Sequence, residues 1–243
     1  MNKSTYMTVE NPMEAVFKYL SISIVFMFVG FLFGKLFVPA SLVYAANIFV
    51  GVLIVGLLLF SLLSRKNVIP RSFSMNFVYL FTFVDGILMY PILTYYLYDL
   101  GTTLFMNVVL GTCVLFALLA LISHRKPAGH YVGLGSTLLA GLVVLIVMSV
   151  VNIFIQGTVF NIAVSALGII IFSAYILYDV SLLKYDIESG GVTCKNDLSI
   201  HVLNLYLDFI NILLDLLRIV SDLTFFKSKK GRRKSRTESS RKI

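Results

Sequence analysis

Apolar residues fill this chain in long runs, broken by short polar punctuation, and the runs have the length of membrane-crossing helices. About 20 apolar residues span a bilayer as helix. On that measure spans are expected at 19–39, 42–64, 72–98, 103–123, 131–155, 160–183 and 201–223. The last segment differs from the others. His201, Asn204, Asp208, Asn211, Asp215, Arg218 and Asp222 alternate at steps of three and four, a spacing that puts them on one helix face. Almost everything between them is Leu, Ile, Val, Phe or Tyr. The pattern predicts an all-α integral membrane protein, a bundle of seven hydrophobic helices. The last helix carries a polar stripe and is either packed centrally or re-entrant. Residues 1–18 read as a polar N-terminal segment, 19–223 as the transmembrane domain, and 224–243 as a basic disordered tail.

Composition supports the membrane reading. The 243 residues are 58% hydrophobic and 13% charged, with a mean hydropathy of +0.92, against roughly 25% charged in a soluble domain. The first apolar run follows a polar stretch without a small-residue cleavage site, so it is expected to stay as an anchor. The net charge of +8 does not imply nucleic acid, because nine of the twenty Lys and Arg lie in residues 227–243. That tail suits anionic lipid headgroups. Cys113 and Cys194 form no disulfide framework, and His124, His130 and His201 lack metal-ligand spacing. No cofactor is expected.

Basic residues set the expected orientation. Lys3, Lys18, Arg65, Lys66, Arg71, Arg125, Lys126, Lys184 and Lys195 fall on one side and only Lys35 on the other. The N-terminus and the even-numbered loops are therefore expected in the cytoplasm. The charge count also favours re-entry of the last segment, which would keep its tail on the basic side. A central helix wrapped by the other six remains the alternative. Pro91 is expected to kink the third span, and Gly30 and Gly34 form a GxxxG pair suited to close helix packing.

Ionisable groups inside such a bundle are the candidates for function. Asp179 lies about four residues before span six ends, and Asp208 about seven after the last segment begins. At ~1.5 Å per residue both sit roughly 6–11 Å deep on consecutive antiparallel helices, so the two carboxylates can meet. A close pair of this kind shares a proton and can sense pH. Deprotonated, it offers the hard oxygen ligands that Ca²⁺ prefers, and it favours cations along a pore. Asn204, Asn211, Asp215 and Arg218 extend the stripe, with Asp215 and Arg218 expected to neutralise one another at i, i+3. Asp85, central in span three, is either a third acid of the path or a locally paired structural residue.

The segments FSAYILYDV (172–180), LYLDFINILLDLLRI (205–219) and FVYLFTFVDGILMYPI (77–92) resemble the signatures of the Bax-inhibitor-type transmembrane family. The likeness covers about residues 15–220 and is nearest to the bacterial pH-sensitive calcium leak branch. It implies seven helices around a central last one, with Asp179 and Asp208 as the pH-sensing pair and Arg218 and Asn211 as signature residues. In that branch a glutamate can lie within span two, and an arginine at its cytoplasmic end latches onto the pair. Here span two is uncharged, and the nearest bases are Arg65 and Lys66, about a turn further on. Asp85 stands where the family has a small uncharged residue.

The expected function is thus a pH-sensitive calcium leak channel, not an enzyme, in a bacterial plasma membrane in preference to the endoplasmic reticulum. Lipid, calcium ions and protons are its expected partners. One alternative is a non-conducting membrane regulator of cell-death or stress proteins acting through the tail. An intramembrane aspartyl protease is weaker: Tyr178-Asp179 suits it, but Leu205-Tyr206-Leu207-Asp208 stands where a GxGD motif would be needed.

Overall fold

The computed structural model describes residues 11–39, 41–42, 46–66, 72–155 and 157–240. Among these the chain forms six α-helices: α1 (Pro12–Phe37), α2 (Ala46–Arg65), α3 (Met75–His124), α4 (Gly135–Ile155), α5 (Thr158–Glu188) and α6 (Ser199–Ser240). The count is six and not seven because the expected third and fourth spans are joined without a loop, as two helical arms that meet at a single non-helical residue. Helical dihedrals run on through Pro91, and the break falls instead at Gly101, with φ 73° and ψ 160°. Only glycine adopts that conformation without strain. The arm before Gly101 places Asp85 beside Tyr206 and Asp99 beside Ser221. The arm after it brings Phe116 back to Phe209. The two arms therefore run along α6 in opposite directions, reversing at Gly101.

Local signals explain the helix starts. Pro12 occupies the first turn of α1, where its missing N–H costs nothing. Ser74 caps α3 by accepting from the Asn76 amide at 3.3 Å. Residues 12–18, expected in a polar segment, already belong to α1, because Val16 and Leu20 face the core. Residues 1–10, including Lys3, and Arg71 lie outside the described residues.

The centre of the bundle is α6. From His201 to Arg218 every residue but Leu216 is buried, and 89% of its most apolar window is enclosed, against 22–39% in the other four long apolar helices. The last helix is continuous and central, which overturns the re-entry favoured by the charge count. Enclosure by protein supplies partners for the stripe, so the chain need not turn back to water. Its backbone stays helical to Ser240 where a disordered tail is expected from residue 224. Lys, Arg and Glu propagate a helix readily once it is nucleated.

The outer faces carry exposed Leu32, Leu80, Leu110, Val144, Ile170 and Phe154, an apolar surface far larger than water tolerates. Among the described residues five helices are long and apolar enough to cross a membrane. This is a multi-pass integral membrane protein.

Candidate functional site

Three helices converge on one guanidinium. Arg65 is the last residue of α2, and its Nη1 donates to Asp179 of α5 at 3.0 Å (Oδ1) and 2.9 Å (Oδ2). Its Nη2 donates to Asp208 Oδ1 of α6 at 2.5 Å. The planar fork of arginine can hold two carboxylates at once, which an ammonium cannot. All three side chains are enclosed, at 5%, 1% and 0% exposure. The carboxylates are also close enough to interact directly. When both are ionised, one guanidinium balances only half of their charge, and Asp208 Oδ2 has no hydrogen-bond partner.

Two further groups hold the arginine, and neither stood among the expected site residues. Ser61, one turn back on α2, accepts from Arg65 Nε at 3.3 Å. The Tyr175 ring lies under the guanidinium, 3.5 Å from its carbon to the ring centroid, a close cation–π stack. Tyr175 is four residues before Asp179 and so on the same face of α5; that spacing was the available signal. Its hydroxyl is buried without a partner. Tyr175→Phe should therefore be at least as stable as wild type, since it removes an unpaired polar group. Tyr175→Leu should lose ~0.5–2 kcal/mol of the stacking interaction. Thermal unfolding in detergent checks both, and equal losses in Phe and Leu would argue against the stack.

The other expected residues are distributed along α6. Asp85 does not reach the pair: Tyr206 Oη donates to its Oδ2 at 2.6 Å, so it is locally paired in the interior. Lys66 is exposed, and the base at the cluster is Arg65. Asp215 and Arg218 do not form the expected ion pair. Arg218 Nη1 instead donates to Ser165 Oγ at 3.4 Å, and the Asp215 carboxylate packs against Gly168. Asn211 donates to Leu207 O of its own helix at 2.8 Å, and Asn204 is buried. At the ends of the stripe, His201 Nε2 lies 3.3 Å from Asp186 Oδ2, and Asp222 accepts from Asn161 Nδ2 at 2.5 Å. The stripe is thus buried from His201 to Arg218, with bonded partners drawn from α2 and α5.

A family model described as "Inhibitor of apoptosis-promoting Bax1" matches residues 9–226. Among similar proteins, "Probable Bax inhibitor 1" of Paralichthys olivaceus is 30% identical over 130 residues, 54% of this chain and 53% of that protein. A protein of Campylobacter jejuni is 31% identical over 157 residues, 63% of this chain and 62% of that protein. "Modulator of FtsH protease YccA" of Escherichia coli is 30% identical over 132 residues, 54% and 59% of the two chains. This chain spans between about half and under two thirds of the length of these relatives.

Proposed function

The chain belongs to the family of inhibitors of apoptosis-promoting Bax1, membrane proteins and not a catalytic family, and from that premise we propose that it is a pH-sensitive cation leak of the calcium-conducting branch. Arg65 is its latch, and Asp179 with Asp208 its sensor and ion site. The observation that carries this reading is one guanidinium shared by two enclosed carboxylates on different helices. Adding or removing a proton changes how much charge Arg65 balances, and with it the hold of α2 on α5 and α6. A Ca²⁺ ion is the natural competitor for Arg65, since it prefers the same carboxylate oxygens.

The donor set favours a permeant ion over a resident one. Calcium takes 6–8 oxygen ligands when tightly held, and among the described residues no three His, Cys, Asp or Glu side chains cluster. Two carboxylates attract the ion without trapping it, as conduction requires.

Calcium flux into liposomes across the neutral pH range tests the proposal, alongside Asp179→Asn and Asp208→Asn. Wild type should show a saturable, pH-dependent flux whose pH dependence disappears in both variants. Folded wild-type protein with no flux at any pH would remove the channel reading.

A second reading has its own support. The E. coli relative is named as a modulator of a protease, and the helix α6 continues past the bundle with a strongly basic sequence. A non-conducting regulator would use that extension for a protein partner or for anionic headgroups. Deletion of residues 227–243 should leave a leak intact but abolish regulation that depends on the tail.

A further inference from the structure

Beyond the aspartate cluster, α6 faces a second polar site that its own sequence does not reveal. Ser149 of α4, Asn211 and Asp215 of α6, and the apolar Leu58, Leu145 and Leu214 bound an interior cavity of ≈ 10 Å³. The three polar side chains are each more than nine-tenths buried, at 5%, 3% and 7% exposure. The backbone at Gly168 of α5 makes room for the carboxylate: a Cβ there would collide with Asp215 Oδ2. Arg218 and Ser165 also lie near this carboxylate, and Arg218 is the charged group facing it.

The size and chemistry of the cavity select its occupant. A water molecule needs about 10–15 Å³ of such space and two to four polar partners, whereas dry cavities are apolar. Asn211 spends an amide hydrogen on Leu207 O, which leaves its carbonyl oxygen as an acceptor. Ser149, a hydroxyl that can both donate and accept, lines the cavity opposite Asn211 and Asp215. Leaving such groups dry in a lipid-embedded core is costly. A bare Ca²⁺ would need 6–8 oxygens, more than three residues supply.

We propose that this cavity is a hydration site, binding one water between the Asp215 carboxylate, the Asn211 carbonyl and the Ser149 hydroxyl. Resting on the reading of the aspartate pair as the ion entrance, this water is the next station on the cation's route. It lies seven residues further along α6, ~10 Å at 1.5 Å per residue. A migrating ion that leaves the pair finds there a carboxylate and a water to replace part of its shell, where Leu58, Leu145 and Leu214 alone would offer nothing.

Two measurements decide the matter separately. High-resolution diffraction should show a single ordered water within hydrogen-bond distance of all three side chains in wild type. The water should be absent in Ser149→Val, whose extra methyl fills the space. An empty wild-type cavity would overturn the hydration site, whatever the protein conducts. Calcium flux in liposomes should fall roughly ten-fold in Ser149→Ala, Ser149→Val and Asp215→Asn, the scale of one lost hydrogen-bonded contact, while its pH dependence persists. Unchanged flux in folded Ser149→Ala and Asp215→Asn would overturn the role as a station. A wild type that does not conduct would refute that role together with the entrance reading, and leave the water to be decided by the density.

Discussion

Replacing Arg65 with Ala is expected to cost about 3–5 kcal/mol, the usual penalty for removing one partner from a buried ion pair. The reason lies in the enclosure of Asp179 and Asp208, at 1% and 0% exposure. Neither can turn to water when the guanidinium is lost, and both donate nothing to each other while ionised. Arg65→Lys restores a charge but not the fork, so one aspartate should stay poorly held and the loss should be intermediate. A double variant, Arg65→Ala with Asp208→Asn, removes one of the stranded charges. It should be more stable than Arg65→Ala alone, a non-additivity that a double-mutant cycle reads directly. Thermal unfolding in detergent measures the stability, and liposome flux measures the gate. If Arg65 is the latch, its removal should leave a calcium flux that no longer responds to pH. A pH response identical to wild type would count against the latch.

Gly30→Leu and Gly86→Leu should each prevent α1 from docking on α3. A Cβ at Gly30 would meet the Phe83 carbonyl oxygen, and one at Gly86 the Met27 carbonyl oxygen. These are backbone atoms of the facing helix, so no rotamer change relieves the clash and the helices must separate. Met27, Val78 and Met89, all fully packed nearby, then lose their contacts. Overpacking costs typically 1–3 kcal/mol, and about as much again is expected from each large apolar side chain uncovered. Gly111→Ala is the control, because a Cβ there meets nothing within 4 Å, and its effect should stay within about 1 kcal/mol. Yield of monodisperse protein and its unfolding temperature report the difference. A normal unfolding temperature for Gly30→Leu would show that the two backbones are not pressed together.

The sequence carried much of the candidate site because depth and periodicity are local properties. The steps of three and four along 201–222 place the polar face of α6, and counting residues from the loop brings Asp179 level with Asp208. The GxxxG of Gly30 and Gly34 marks the contact face of α1. Its counterpart Gly86 has Thr82 and no second glycine at the matching spacing, too weak a pattern to make the partner legible. Arg65 looked a turn too far from the pair, because residue counting locates the Cα and not the end of a long flexible side chain. Asp215 and Arg218 are close enough to interact electrostatically, but not in direct contact, for a related reason: spacing makes two groups neighbours, while the facing helix supplies Ser165 and Gly168 as competing partners.

By itself, then, the sequence determined that the chain is helical and membrane-embedded, and which face of which helix is polar. Apolar run length and the 3.6-residue period are sufficient for that. The tertiary structure alone decided that α6 is central and continuous, that the turn between the third and fourth expected spans is compressed into the single residue Gly101, and that Arg65 and Tyr175 complete the aspartate site. It also decided that Ser149 closes a polar cavity against Asp215. Those outcomes depend on which helices face each other and how closely, and no periodicity within one helix encodes its neighbour.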